Sequence, residues 1–129
     1  MSKVMNKTRI KMFEKLMFKL KNNLVIVEGK NDKSALQKIG AQNIITIQSY
    51  PIERIERLIL NHQVNNEEII VLMDIDKEGD RLSEQIKDLC KGISINPDLR
   101  TRVMLSSLLG LKFWENIDKK VDNFIDENY

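Results

Sequence analysis

Apolar positions recur along this chain with two different periods. From Asn6 to Lys21, the residues Ile10, Phe13, Met17 and Leu20 follow one another at three- and four-residue steps, with Leu16 beside them. The lysines fall mostly on other faces, so this spacing predicts an amphipathic helix, ended by Asn22-Asn23. Residues 24–28 are a short, continuous, β-branched run, as in a strand covered on both faces of a parallel sheet. A helix over 32–39 follows, with Gly40 placed for a left-handed C-cap. Residues 43–49 read as a second strand, and Pro51 opens a helix carrying Ile52, Ile55, Leu58 and Ile59 on one stripe. Val64-Asn65-Asn66 reads as a loop. Residues 68–74 are the third and most apolar strand, and the helix beyond Gly79 buries Leu82, Ile86 and Leu89. Gly92-Ile93-Ser94-Ile95 reads as a short fourth strand. Asn96, Pro97 and Asp98 supply an N-cap, a proline in the first turn and an acid near the helix start. That helix runs through Leu99, Val103, Met104 and Leu108 to Gly110, and a last one over 115–125 turns Ile117, Val121, Phe124 and Ile125 inward.

Strands alternating with helices predict βαβ crossovers. The expected fold class is α/β, with about four mostly parallel strands sandwiched by helices and extra helices at both ends. With 129 residues and no linker or repeat, residues 1–129 read as a single domain. Within it, 1–22 is a basic amphipathic helix, 24–96 the core, and 97–129 the C-terminal helices.

The chain is 42% hydrophobic and 31% charged, which fits a folded globular domain and excludes a disordered one. No apolar run approaches the roughly 20 residues of a membrane span. Lys7, Arg9, Lys11, Lys15 and Lys19 break up any signal-peptide core. The one cysteine, Cys90, cannot form an intrachain disulfide and fits a reducing compartment, so the expected location is cytoplasmic. Cys90 itself reads as a small buried hydrophobe. The net charge of +2 conceals an asymmetry: residues 1–22 carry +6 and the remainder −4. A basic segment on an acidic body points weakly to a polyanion; a solvated helix face explains it as well.

Two acidic clusters carry the chemistry. Leu24-Val25-Ile26-Val27 ends in Glu28-Gly29-Lys30-Asn31-Asp32, and Ile69-Ile70-Val71-Leu72-Met73 ends in Asp74-Ile75-Asp76-Lys77-Glu78-Gly79. The carboxyl ends of strands in an open α/β sheet are where ligands bind. Carboxylates gathered there repel one another unless a divalent cation neutralises them, and an oxygen-only set suits Mg²⁺, with Mn²⁺ as a substitute. Asp74 and Asp76 share a face if the backbone stays extended. Gly29 and Gly79 permit tight turns where a side chain would crowd a bound phosphate. Such a site suits phosphodiester chemistry, with Glu28, Asp74 and Asp76 as the oxygen-only metal set and Glu28 also the natural acid or base. Lys30 and Lys77, beside the carboxylates, and Lys33 and Arg81, flanking them, are candidates to hold phosphates. As single residues Lys33 and Arg81 read more readily as surface charge, and Lys30 and Lys77 equally so.

The pattern apolar strand–Glu28-Gly29-x-x-Asp32, then apolar strand–Asp74-x-Asp76-x-x-Gly79, resembles the Toprim domain, over about residues 24–96. This catalytic module is shared by type IA and type II topoisomerases, bacterial-type primases, OLD-family nucleases, recombination-repair proteins and the ribonuclease that matures 5S ribosomal RNA. With its leading helix and Asn-Pro-Asp-Leu-Arg-x-Arg segment, the chain looks most like the small stand-alone Toprim proteins of archaea and some bacteria. The resemblance implies a Rossmann-like sheet, Glu28 as acid/base in nucleotidyl transfer, and Asp74 and Asp76 as Mg²⁺ ligands. Type IA topoisomerases place a glutamate after the second glycine, where this chain has Asp80. Tyr50 and Tyr129 have no separate domain to make either a topoisomerase nucleophile. No cysteine cluster exists for the zinc of a primase.

The reading that follows is a Mg²⁺-binding Toprim protein acting on phosphodiester bonds of nucleic acid, DNA or RNA, as a nuclease or processing factor. The alternative is a non-catalytic nucleic-acid or ribonucleoprotein binding module that keeps the fold. Receiver or phosphatase chemistry fits less well, because Glu78 stands where haloacid-dehalogenase phosphatases carry Thr or Val. Arg100 and Arg102, two apart, lie on different helix faces, so at most one points at the site. His62 reads as a helix-end residue, exposed or set against the dipole. Phe113 and Trp114 are expected to anchor the last helix.

Overall fold

The computed structural model describes residues 3–63 and 67–129, with backbone alone for 3–6 and 63; the loop expected over 64–66 lies outside the described residues. In chain order the elements are α1 (Lys3–Asn22), β1 (Leu24–Val27), α2 (Lys30–Lys38), β2 (Asn43–Thr46), α3 (Ile52–Gln63), β3 (Ile69–Val71), α4 (Lys77–Gly92), α5 (Arg100–Leu109) and α6 (Ile117–Asn128). Single 3₁₀ turns at Ile47–Ser49 and Trp114–Asn116 punctuate them.

The three strands form a wholly parallel sheet in the order β2-β1-β3. Successive strand residues enter opposite cores, as the two-residue period requires. Val25, Val27, Ile70 and Leu72 pack with Phe13, Leu16, Leu20, Leu36, Leu105 and Trp114. Leu24, Ile26, Ile69, Val71 and Met73 pack with Ile55, Ile59, Ile86 and Cys90. The sheet is therefore covered on one face by α1, α2, α5 and α6 and on the other by α3 and α4. Cys90 is fully buried and takes the hydrophobe's place expected of it.

The C-terminal end of α1 has a local cause. The Asn22 and Asn23 amides donate to the carbonyls of Phe18 and Lys19, satisfying the last turn. The Asn23 side-chain oxygen Oδ1 in turn accepts from Glu68 N–H, so the residue that stops α1 also aligns the chain entering β3. Gly40 has φ +102, the left-handed stop anticipated after α2, and Gly110 does the same at φ +64 after α5.

Three expectations need correction. The sheet has three strands, not four: α4 runs on to Gly92, and Ser94 takes φ 60 to turn the chain back. The would-be fourth strand shrinks to a single bridge three residues later, where Asp98 pairs with Ile70. β2 ends at Thr46, because Gln48 N–H donates to Glu28 O and Thr46 hydrogen-bonds Ser49, coiling the segment into a 3₁₀ turn. Finally, Asn96 and Pro97 do not open α5. Asp98 caps it, accepting from the backbone N–H groups of Arg100 and Thr101 and from the Thr101 hydroxyl. Lys19 of α1 closes on the same carboxylate at 2.6 Å, pinning the N-terminal helix to this cap. Burial alone would push the Asp98 carboxyl up, but Lys19 and Thr101 hold it below the usual range.

Candidate functional site

The loop after β1 turns to α2 on one face of the sheet, while the loop after β3 turns to α4 on the other. Adjacent strands whose connections diverge in this way leave a crevice at their carboxyl ends, the switch point where α/β proteins bind ligands. Glu28 leaves β1 into that crevice, and Asp74 enters it just beyond β3. The two are tied together: Asp74 N–H donates to Glu28 Oε1 at 3.1 Å. Asp32, 8% exposed in the first turn of α2, joins them and accepts from Gly29 N–H at 3.1 Å, which fastens the loop to the helix start. Together with Lys30, Gln48, Ser49 and Glu115 they line an open cleft of about 780 Å³.

The cleft is electrostatically unbalanced. Among the described residues no lysine, arginine or histidine pairs with Glu28, Asp32 or Asp74, and only Lys30 brings positive charge to the lining. Burial pushes the Asp74 carboxyl up to about 6, against the Trp114 N–H that favours its charged form, and Asp32, Glu28 and Asp76 add repulsion. Burial likewise raises Glu28, with Asp32 and Asp76 contributing. Asp32 is raised by burial despite its backbone hydrogen bonds, and Glu115 adds to it. Burial first, and mutual repulsion after it, disfavour the charged carboxylates here, a cost that a bound cation would relieve.

Asp76 sits differently from its neighbour. The backbone does not stay extended: Asp76 N–H donates to Asp74 O at 3.0 Å, closing a tight turn. The Asp76 carboxylate caps α4 through Gly79 N–H at 2.7 Å. Among the described residues no three His, Cys, Asp or Glu side chains converge to enclose a metal ion by themselves. Mg²⁺ does not need such a cage, since it commonly takes one or two carboxylates, with waters and substrate phosphates completing its shell. Glu28 and Asp74 fit that requirement, with all-oxygen donors and no cationic partner.

The tight turn expected at Gly79 has a cause in the chain's own backbone. A Cβ on Gly79 would stand 1.8 Å from Asp74 O and 3.1 Å from Arg102 Nη2, so the missing side chain lets the loop close on its own helix. At Gly29 the obstacle is only the tip of Gln48, at 2.7 Å.

Arg102 is the main structural residue that sequence reasoning left undefined. It is nearly buried, donating through Nε to Met73 O at 2.7 Å, and through Nη2 to Asp74 O and to Asp80 at 2.9 Å. Trp114 Nε1 reaches the same Met73 carbonyl at 2.7 Å, and Trp114 N–H reaches Asp74 Oδ1 at 3.2 Å. These bonds from α5 and the following 3₁₀ turn hold the end of β3 in place. Of the two arginines, Arg102 points at the site and Arg100 is exposed. Glu115 was also missed, for it reads in sequence only as a helix start. Phe113 is 45% exposed, so Trp114 alone is the anchor. Lys77 and Asp80 are exposed at the start of α4, and Arg81 is engaged by Glu78 at 2.6 Å. His62 bonds Glu67 Oε2 at 2.8 Å rather than standing free.

A family model described as the Toprim domain matches residues 23–106, a span that reaches Arg102. The UPF0292 protein of Pyrococcus furiosus is 32% identical over 93 residues, covering 70% of this chain and 67% of that one. That of Thermococcus sibiricus is 31% identical over 101 residues, covering 76% and 77%. A solved structure of an Aquifex aeolicus protein matches with a TM-score of 0.64 at 25% identity, covering 80% of this chain and 95% of its own. No helix among the described residues is long and apolar enough to cross a membrane.

Proposed function

Because the chain belongs to the Toprim domain family, we propose that it binds Mg²⁺, or Mn²⁺ in its place, and acts on phosphodiester bonds of nucleic acid as a nuclease or processing factor. The observation that carries this reading is the uncompensated carboxylate pair Glu28 and Asp74 at the switch point, joined by Asp32 and facing an open cleft. A bound divalent ion would supply charge neutralisation and polarise the reacting oxygens.

The chain's own residues do the rest. Asp74 and Glu28 hold the cation, and Asp32 adds negative charge behind them. Glu28, raised by burial above the ordinary carboxyl range, is suited to exchange a proton with the attacking or leaving oxygen. Lys30 on the cleft wall is placed to attract a phosphate. Asp76, capping α4, keeps the loop that presents Asp74 in register.

The test is Mg²⁺-dependent cleavage of a panel of single- and double-stranded DNA and RNA, with Glu28→Gln as the comparison. Cleavage by the wild type, reduced at least a hundredfold in a Glu28→Gln protein that unfolds at the same temperature, supports the reading. Equal cleavage by both removes Glu28 from the chemistry. Salt-dependent binding with no cleavage of any substrate leaves the non-catalytic module in its place.

A further inference from the structure

A second groove of about 370 Å³ opens beside the acidic cleft, and the two share Glu28 and Gln48 as their common wall. Its character is unlike the cleft's. Ile47, Ile55 and Ile86 give it an aliphatic floor, and the latter two are almost wholly buried. Tyr50 stands on its rim with 42% of its surface exposed. The Tyr50 backbone is extended at φ −139 and ψ 148, as a residue before proline must be, so Pro51 fixes where the ring is mounted.

The polar groups facing this groove are mostly uncharged, and among the described residues Glu28, shared with the cleft, is the one carboxyl there without a cationic partner. Gln48 and Gln85 bring carboxamides, which donate and accept hydrogen bonds alike. Glu78 is the one carboxylate besides Glu28, and Arg81 grips both of its oxygens at 2.6 and 3.0 Å. An aliphatic floor, an exposed aromatic ring and two carboxamides suit a planar, uncharged, hydrogen-bonding ring system. Single-stranded nucleic acids are held by aromatic stacking of that kind.

We propose that the Tyr50 groove binds an unpaired nucleobase of the strand whose phosphate occupies the Glu28–Asp74 cleft. This rests on the phosphodiester reading of that cleft and specifies its substrate: a strand with at least one unstacked base beside the reacting phosphate. Tyr50 stacks on the base, and Gln48 and Gln85 bond its edge. Gln48, which covers Gly29, stands at the junction of base and phosphate.

The test uses fluorescence anisotropy of a labelled short single strand, with Ca²⁺ replacing Mg²⁺ to prevent turnover. Tyr50→Ala should weaken binding about tenfold and Tyr50→Phe less than twofold, since the ring does the work. An abasic position, scanned along the strand, should at one place weaken wild-type binding by a similar factor. At that place it should leave Tyr50→Ala binding unchanged. Tyr50→Ala binding within twofold of wild type, or an abasic effect that simply adds to the substitution, overturns the groove assignment while leaving the acidic cleft standing. A wild type that binds no strand at all overturns both.

Discussion

The close approach of Gly79 to Asp74 gives the sharpest stability prediction. In Gly79→Ala the new Cβ would lie 1.8 Å from Asp74 O and 2.7 Å from its carbonyl carbon. An ordinary C···O contact is about 3.3–3.6 Å, so the loop must open by more than an ångström. Both neighbours are backbone and cannot rotate away. Opening stretches the Gly79 N–H bond to Asp76, a cap worth about 1 kcal/mol. It also draws Asp74 O away from Arg102, a charge-assisted bond worth about 2 kcal/mol. Residual overpacking adds about 1 kcal/mol, and the better helix propensity of alanine returns a similar amount. The expected loss is therefore about 3 kcal/mol, or a fall of about 10 °C in Tm for a chain of this size. Gly29→Ala is the control: its Cβ meets only the flexible end of Gln48, so the loss should stay under about 1 kcal/mol. Urea unfolding followed by circular dichroism measures both. A Gly79→Ala protein within about 0.5 kcal/mol of wild type, or one more stable than Gly29→Ala, would refute the reasoning.

Two further predictions concern charge. The Asp74 carboxyl is pushed up to about 6 in the fold from its ordinary 3.8, so the folded chain holds that proton more tightly than the unfolded one. Its favourable contribution is complete below about pH 3.8, declines as pH rises through about 6, and is absent above. Two units correspond to about 3 kcal/mol at full value, reduced to about 1 kcal/mol by solvent screening of a partly exposed group. Without divalent cations, Asp74→Asn should therefore flatten the Tm profile between those pH values and exceed wild-type stability near neutrality; parallel profiles would count against the assignment. Arg102→Lys should cost about 2–3 kcal/mol, because a single ammonium cannot span Met73 O, Asp74 O and Asp80 as the guanidinium fork does. Chemical denaturation reads this directly, and a change below about 0.5 kcal/mol would show that the fork is dispensable.

What the sequence disclosed, and what it withheld, follows from the range of the forces involved. Helical stripes such as Phe13-Leu16-Leu20 and the runs around Val25 and Ile70 are local patterns whose burial is decided within a turn or a strand, and they read correctly. The strand-end carboxylates were legible for the same reason, as a break from apolar to acidic residues. The fourth strand failed because α4 runs on to Gly92 and Ser94 adopts a positive φ, so that the N–H groups of Ile93, Ser94 and Ile95 bond back to Cys90 and Lys91. No neighbour-based pattern announces either. Arg102 was legible only as one of two arginines of which one could face the site, and Glu115 not at all, because α5 and the following turn bring them there from 28 and 41 positions beyond Asp74. Gly79 was legible as the residue of a tight turn, and the approach of Asp74 O shows why that turn excludes a side chain.

Calorimetric titration of Mg²⁺ into the wild type and Asp74→Asn, near pH 6 and again near pH 8, addresses the central claim most directly. We expect saturable binding by the wild type at both, weaker at the lower pH and accompanied there by proton release, because the cation displaces the proton held by Asp74. Asp74→Asn should lose at least tenfold in affinity and show the smaller proton release. Wild-type protein that binds no Mg²⁺ or Mn²⁺, or binding that Asp74→Asn leaves unchanged, would contradict the account.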